Sequence, residues 1–198
     1  MSRKLIFRTV LGTLITVLAL GAIATATTRQ SAFPNIRIKN FGQMNERFYR
    51  GAQPKEGDYA DLKALGVQTI VDLQEDPKPY EKPIAEGLGM RYINIPMVDK
   101  GYPTDSQIQQ FLKIANDPAT GVFFVHCAGG RHRTGIMGAV YRFTVDRWTY
   151  DQVYSEMKQY DFYSSWGHGD QKKYVQDYWA NLLAKHSGAD STAAEAHN

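Results

Sequence analysis

The segment 122–140 constrains the fold of this 198-residue chain more than any other part of it. It begins with valine and phenylalanine residues, a β-branched and aromatic run that is typical of a buried strand. Gly129 and Gly130 then follow, and the apolar stretch 136–140 fits a helix. The pattern therefore predicts a strand, a tight loop and a helix, with the chain's single cysteine, Cys127, at the end of the strand.

The predicted loop has the composition of an anion-binding site. Gly129 and Gly130 allow the backbone N–H groups to turn inward, because neither residue has a Cβ atom. A helix that begins near Arg133 adds free amides and the positive end of its dipole. Together these groups form a concave nest for an anion such as phosphate. Arg133 can complete it with a planar, bidentate grip on phosphate oxygens.

Cys127 lies at the base of this nest, where the same positive field favours the nucleophilic thiolate. A thiolate beneath a bound phosphate suggests attack at phosphorus and a phosphocysteine intermediate. Thr134 is a candidate to hydrogen-bond the sulfur and stabilise it as the leaving group of a second step. The candidate phosphate-binding residues are Ala128, Gly129, Gly130, Arg131, His132 and Thr134, and His126 is a candidate supporting residue that orients the loop.

These residues resemble the signature of the cysteine-dependent protein tyrosine phosphatases. That signature is His-Cys, five residues, Arg and Ser/Thr, and here it is His126-Cys127, five residues, Arg133-Thr134. The second half of this segment, residues 130–135, is most similar to the atypical dual-specificity branch of plants, fungi and bacteria. The spacing of a cysteine and an arginine alone would be weak evidence, but the preceding strand and flanking residues make the match specific.

Two further segments are similar to the same branch. Residues 49–54, Tyr-Arg-Gly-Ala-Gln-Pro, match its opening strand and turn, and residues 147–149 match the pattern after the signature helix. The resemblance covers roughly residues 40–165. It implies a metal-independent phosphatase without a cofactor, acting on phosphotyrosine and also on phosphoserine or phosphothreonine.

The resemblance also implies a general acid on a movable loop. Such an enzyme needs a group that protonates the leaving oxygen and then activates water. Asp99, a few residues past the predicted strand 91–95, matches the family's acid by position, and Gly101 offers a hinge. Asp105 is the alternative, although its place early in a helix explains it better. Asp72 is less suitable, because it lies inside a predicted strand.

Alternatives to this assignment remain at the level of the sequence. Arg131 and His132, with Lys100 opposite, would add positive charge beyond the need of one phosphate, which favours an inositol phosphate or pyrophosphate as substrate. Ala128 argues against this, because related loops often have a basic residue there. A phospho-binding module without turnover and a rhodanese-like sulfur transferase are further alternatives. A single cysteine counts against arsenate-reductase chemistry. No metal site is predicted, because His126 lacks evident partner ligands.

The N-terminal segment suggests export. Residues 1–8 are basic, residues 9–28 are uncharged and mostly apolar, and Ala24-Thr25-Ala26 fits a signal-peptidase site. We expect a cleaved signal peptide or, alternatively, an uncleaved membrane anchor, with the domain periplasmic, secreted or anchored outside the cytoplasm. Residues 1–26 hold three basic and no acidic residues, so the remainder has 20 of each. The expected partner is thus a phosphorylated protein or small metabolite, not nucleic acid, with membrane contact only through the N-terminal segment.

The remaining pattern predicts the fold class. Strands near positions 48, 70, 93 and 124 alternate with helices, which indicates an α/β fold with a mostly parallel sheet of four or five strands flanked by helices. Capping boxes are expected at Thr104 and Thr149. The predicted organisation is a signal or anchor at 1–28, a linker at 29–40, a phosphatase domain at 41–185 and a disordered tail at 186–198.

Overall fold

The computed structural model describes residues 33–195, without the side chains of residue 186 and residues 188–195. The predicted signal or anchor segment lies outside the described residues. Within them, no helix is both long and apolar enough to cross a membrane. The chain divides into two units, 1–36 and 37–198, and the architecture below belongs to the second.

The described residues form a five-stranded sheet, in which neighbouring strands follow the order β1-β2-β5-β3-β4. The strands are β1 (Gly42–Gln43), β2 (Phe48–Ala52), β3 (Thr69–Gln74), β4 (Arg91–Met97) and β5 (Phe123–Cys127). Only β1 pairs with its neighbour in the antiparallel sense, and β2, β5, β3 and β4 run parallel. The predicted α/β fold with a mostly parallel sheet is confirmed.

Among residues 33–195, six helices flank the sheet. They are α1 (Asp58–Ala64), α2 (Glu81–Gly87), α3 (Asp105–Asn116), α4 (Arg133–Thr144), α5 (Tyr150–Gln159) and α6 (Gly169–Glu195), and a 3-10 turn covers Pro118–Thr120. Both predicted capping boxes are present, Thr104 with Gln107 and Thr149 with Gln152. They set the first turns of α3 and α5.

Two elements extend beyond their predicted ends. Strand β4 continues through Pro96 to Met97, which is possible because β4 lies at the edge of the sheet, where a missing N–H is tolerated. Helix α6 continues to Glu195, ten residues past the predicted end at Lys185 and into the segment where we expected a disordered tail. The alanines of that segment have the highest helix propensity of any residue.

The central strand β5 separates two environments. Phe123, Val125 and Cys127 belong to the main hydrophobic core, which α4 also enters with Ile136 and Val140. Successive side chains of a strand point to opposite faces, so His126 faces away from that core. The only cysteine therefore lies on the α4 side of the sheet, and the histidine beside it lies on the other.

Candidate active site

The loop after β5 depends on one glycine. Gly130 has a φ of +64°, in the left-handed region, and a Cβ atom there would collide with the backbone of Gly51 and Ala52. The loop thus packs directly against the end of β2, which no residue with a side chain would allow. It connects Cys127, which is 3% exposed, to the first residue of α4, Arg133.

Three donors outside the loop hold its carbonyl groups. Asn40 Nδ2 donates to the Gly129 oxygen at 2.9 Å, Arg50 Nη2 to the Gly130 oxygen at 2.6 Å, and the Gln53 amide to the Ala128 oxygen at 3.4 Å. In a trans peptide the C=O and N–H groups point in opposite directions. The amides that follow these carbonyls therefore point away from the donors, as a backbone nest for an anion requires.

Arg50 is a supporting residue whose role the sequence analysis missed. It is 1% exposed in the middle of β2, and its guanidinium lies 4.0 Å from the ring centroid of Tyr160, a cation–π distance. A charged residue inside an otherwise buried strand was the available signal, because such a charge is costly unless it has partners. Asn40, the second donor, lies in the predicted linker.

The loop before α3 brings the predicted acid to the predicted phosphate-binding arginine. Arg133 Nη1 donates to the Met97 oxygen at 3.2 Å, and its Nη2 lies 3.2 Å from Asp99 Oδ1. Asp105 lies in the first turn of α3, as the helical explanation predicts, and Asp72 is buried in β3. Of the three acids considered, only Asp99 is paired with Arg133.

Thr134 lies in the first turn of α4 and is fully buried. Its hydroxyl has no hydrogen-bond partner among residues 33–195. An unsatisfied buried hydroxyl costs about 1–3 kcal/mol, so its retention fits a group whose partner forms only during the reaction. Stabilisation of the Cys127 sulfur by this hydroxyl stays a prediction.

His126 has two carboxylate partners that the sequence analysis did not identify. Its Nε2 lies 3.0 Å from Glu81 Oε2, its Nδ1 lies 3.8 Å from Asp72 Oδ1, and all three side chains are fully buried. The expectation that His126 lacks partner ligands is therefore wrong, since one ligand-type atom from each of the three lies within 4.8 Å of the others. The partners come from β3 and α2, and only the fold unites them.

Each carboxylate oxygen of this cluster also accepts a hydrogen bond from the protein. The donors are the Gln74 amide and Tyr92 hydroxyl for Asp72, and the Lys78 amide and Tyr59 hydroxyl for Glu81. Burial raises the pKa of Asp72. Burial also acts to raise the pKa of Glu81, but the contacts with His126 and Tyr59 outweigh it and lower that pKa. These hydrogen bonds therefore fit a buried polar cluster that supports the strand behind Cys127.

His132 does not add the positive charge that we expected. Its ring stacks on His168, with centroids 3.6 Å apart and planes 6° apart, and its Nε2 lies 3.1 Å from the Tyr163 oxygen. Burial, together with the charge of His168, lowers the pKa of His132 to about 4. The side chain is therefore neutral near pH 7. The burial of His132 could not be predicted from the neighbouring sequence, because His168 approaches the ring from a different segment.

Arg131 is turned toward the α5–α6 loop, which we define as residues 160–168. Its Nε lies 3.9 Å from Asp161 Oδ2, and its guanidinium lies 5.9 Å from the centroid of the Tyr163 ring. The carboxylate of Asp161 offsets part of the arginine's charge. The expected surplus of positive charge around the phosphate loop is thus reduced further.

The α5–α6 loop presents aromatic groups beside the site. Trp166 is 85% exposed and has a φ of 59°, which is rare for a bulky residue. An open cavity of about 480 Å³ is lined by Tyr163, Ser165 and Trp166. Residues 98–104, which we call the acid-bearing loop, contact the α5–α6 loop as well. A Cβ atom on Gly167 would lie 3.1 Å from Lys100 Nζ.

Comparison with protein families agrees with this geometry. Residues 31–177 match the model of a family described as DSP-PTPase phosphatase fused to NAD+ kinase. The chain belongs to this family. The resemblance to atypical dual-specificity phosphatases is confirmed, and the chain is a phosphatase of the tyrosine and dual-specificity class.

One relative supports the assignment, and a solved structure shares the fold. The chain is 27% identical over 168 residues to the dual specificity protein phosphatase TpbA of Pseudomonas aeruginosa, which covers 80% of this chain and 72% of TpbA. The catalytic core of the PP-IP phosphatase SIW14 from S. cerevisiae, in complex with citrate, superposes with a TM-score of 0.65 at 20% identity. That match covers 79% of this chain and 95% of the yeast core.

A second solved structure shows the same fold. TpbA from P. aeruginosa, as a cysteine-to-serine variant in complex with phosphotyrosine, superposes with a TM-score of 0.59 at 24% identity. The match covers 69% of this chain and 82% of that chain. The tyrosine phosphatase-like fold is thereby shown.

Proposed function

We propose that this phosphatase hydrolyses phosphotyrosine esters through a phosphocysteine intermediate. In the first step the Cys127 thiolate attacks phosphorus, the P–O bond to the ester oxygen breaks, and Asp99 gives that oxygen a proton. In the second step the Asp99 carboxylate takes a proton from water, whose oxygen attacks phosphorus. The S–P bond breaks, the thiolate returns, and inorganic phosphate leaves. Neither step requires a metal ion.

One observation carries the assignment of roles. Arg133, which follows the phosphate loop, touches both the Met97 oxygen and the Asp99 carboxylate, so the elements that carry the nucleophile and the acid meet at one guanidinium. When a phosphate enters the loop, we expect Arg133 to bind its oxygens bidentately. Asp99 would then face the ester oxygen on the open side of the site.

The surroundings of the loop favour an aromatic ester. His132 is neutral near pH 7 and Arg131 is near Asp161, which leaves few uncompensated cations for a multiply charged substrate. Tyr163 and Trp166 instead line an open cavity on the α5–α6 loop. Aromatic side chains pack against the ring of a phosphotyrosine, a contact worth about 0.5–1.5 kcal/mol beyond area burial.

An inositol pyrophosphate is the second candidate substrate. SIW14, whose core shares the fold, is a PP-IP phosphatase, and Lys100 on the acid-bearing loop supplies one cation near the site. Phosphoserine and phosphothreonine are also candidates, since TpbA is a dual specificity phosphatase. The reaction at Cys127 would be the same for each of these esters.

A turnover panel tests the substrate, and Cys127→Ser tests the mechanism. We expect phosphotyrosine peptides to have a higher kcat/KM than matched phosphoserine peptides or inositol pyrophosphates. Cys127→Ser should abolish turnover and keep measurable affinity for a phosphotyrosine peptide by calorimetry. Wild-type turnover in Cys127→Ser would refute the mechanism. A preference for inositol pyrophosphates would show that the substrate assignment is wrong, but would leave the mechanism intact.

We further propose that the domain acts outside the cytoplasm. The support is the basic start, the uncharged stretch 9–28 and the small residues around Ala26. N-terminal sequencing of the protein from its native host would give a chain beginning at Thr27 for a cleaved signal. An intact start in the membrane fraction would indicate the anchor, and an intact start in the soluble cytoplasmic fraction would contradict export.

A further inference from the structure

The start of helix α6 makes a partly buried contact with the acid-bearing loop. Gln171, which is 1% exposed, donates from Nε2 to the backbone oxygen of Asp99 at 3.0 Å. Its other amide atom, Oε1, lies 2.7 Å from His168 Nδ1. Since His168 stacks on His132, Gln171 is the middle of a connection between the Asp99 backbone and the phosphate loop.

The chemistry of this contact fixes the orientation of the amide. A backbone carbonyl only accepts hydrogen bonds, so the NH₂ group of Gln171 must face Asp99. Its oxygen then faces His168, whose Nδ1 must carry a proton in order to donate. Each hydrogen bond thus supports the orientation that the other requires. The bond to His168 is buried, and the bond to Asp99 is partly buried.

The acid-bearing loop needs such an anchor. Val98 and Tyr102 are more than 40% exposed, and Gly101 has a φ of +99°, so local packing does little to hold Asp99. The other contact of this part of the loop with the site comes from Arg133, through the Met97 oxygen and the Asp99 carboxylate. A substrate phosphate competes for that guanidinium. The Gln171 contact does not involve Arg133, so we expect it to persist when phosphate is bound.

We propose that Gln171 is a positioning residue for general-acid catalysis, which holds the Asp99 backbone so that the carboxyl group reaches the leaving oxygen. This inference rests on the proposed role of Asp99. Loss of the Gln171 contact should affect esters selectively. Proton donation is needed for a basic leaving group and hardly at all for one that departs readily as an anion. Binding of phosphate by the loop amides and Arg133 is expected to remain.

The test is the dependence of kcat/KM on the leaving group, because kcat/KM reports the steps up to cleavage of the ester bond and not the later hydrolysis of the phosphocysteine, in which Asp99 also acts. Gln171→Met removes both hydrogen bonds at similar size, and Gln171→Glu removes the donor to Asp99 at the same size. A misplacement of about 1 Å in a catalytic group costs up to about 100-fold in rate. We therefore expect a loss on the order of tenfold or more in kcat/KM for phenyl phosphate, and little loss in kcat/KM for aryl phosphates with strongly electron-withdrawing substituents. Inhibition by inorganic phosphate should be unchanged.

The chain offers a matched control on the same loop and helix. The Tyr102 hydroxyl donates to Asp177 Oδ2 at 2.7 Å, but this contact is exposed. Tyr102→Phe should leave the leaving-group dependence as in the wild type. In an Asp99→Asn background, Gln171→Met should cause no further loss, because the two changes remove the same effect.

The outcomes separate the inference from the proposed function. If Asp99→Asn does not steepen the leaving-group dependence, the assignment of the acid is wrong. If Asp99→Asn steepens it but the Gln171 variants lose kcat/KM equally on all esters, only the positioning role is refuted. The same holds if Gln171→Met still lowers kcat/KM for phenyl phosphate in the Asp99→Asn background. Gln171→Glu supplies the decisive comparison if Gln171→Met does not fold.

Discussion

Asp99 Oδ1 lies 3.2 Å from Arg133 Nη2, yet the Asp99 side chain is 67% exposed and the Arg133 side chain only 9%. An ion pair with one solvated partner contributes little to stability, typically about 0–1 kcal/mol. The position of Asp99 at the mouth of the site therefore calls for a functional explanation. General-acid catalysis supplies one, since the carboxyl group can meet the leaving oxygen of a bound ester.

Asp99→Asn should separate catalysis from stability. Loss of a general acid lowers kcat by about 10²–10⁴-fold, and one limb of the pH–rate profile should flatten, because the amide does not titrate in this range. The free energy of unfolding should change by less than about 1 kcal/mol. Steady-state kinetics across pH, with urea denaturation, measure both. An unchanged pH profile would mean that another residue is the general acid.

Local pattern was enough to predict the strand, loop and helix around Cys127 and the place of Arg133. Asp99 was predicted from its position after β4, and the structure pairs it with Arg133. The supporting contacts were not predictable in this way: Arg50 is 80 residues from Gly130, and Gln171 is 72 residues from Asp99. Such pairs depend on how β2 and α6 pack, and a single sequence does not record that packing.

Gly130→Ala should disrupt the phosphate loop. The substitution places a Cβ against the backbone of Gly51 and Ala52 in a left-handed conformation, so the loop must move. We expect a lower Tm and loss of phosphate binding, measured by thermal unfolding with and without phosphate. Gly129→Ala is the matched control, because the three atoms nearest to its Cβ would belong to the Arg131 side chain, at 3.6 Å or more. Equal effects of the two substitutions would contradict this account.

Arg50→Met should weaken both the loop and the fold. The Gly130 oxygen loses its donor, which costs about 1–3 kcal/mol for a buried group, and the loop's hold on phosphate should weaken with it. Arg47→Met is the control, since Arg47 donates to the carbonyl oxygens of Asp117 and Gly121, away from the site. Urea denaturation and phosphate inhibition constants measure the effects. If Arg47→Met weakened phosphate binding equally, Arg50 would have no specific role.

Trp166→Ala should change substrate preference without lowering stability. The indole is 85% exposed, so its removal takes away little packing. A contact with a substrate ring worth about 0.5–1.5 kcal/mol corresponds to a loss of about 2–10-fold in kcat/KM. We expect that loss for phosphotyrosine peptides and none for inositol pyrophosphates or phosphoserine peptides. An equal loss of kcat/KM on all substrates would show that Trp166 does not recognise the aromatic ring.

His132 should make stability depend on pH in the acid range. Its pKa is lowered to about 4, by burial and then by His168, from the ordinary value of 6.5. Below pH 6.5 the His132 ring is protonated in the unfolded chain, whereas in the folded chain it stays neutral until about pH 4. The free energy of unfolding therefore falls as the pH is lowered through this range. The charged groups that also face the ring are Asp99 and Arg131.

The size of this effect follows from the same linkage. Between pH 7.5 and pH 5, the histidine should cost the wild type about 2 kcal/mol of unfolding free energy. His132→Asn removes the titration, so its stability should fall by that much less over the same interval, whatever its stability at pH 7.5. Urea denaturation of both proteins at the two pH values gives the difference. Equal losses would mean that the stacked ring accepts its proton as readily in the folded chain as in the unfolded one.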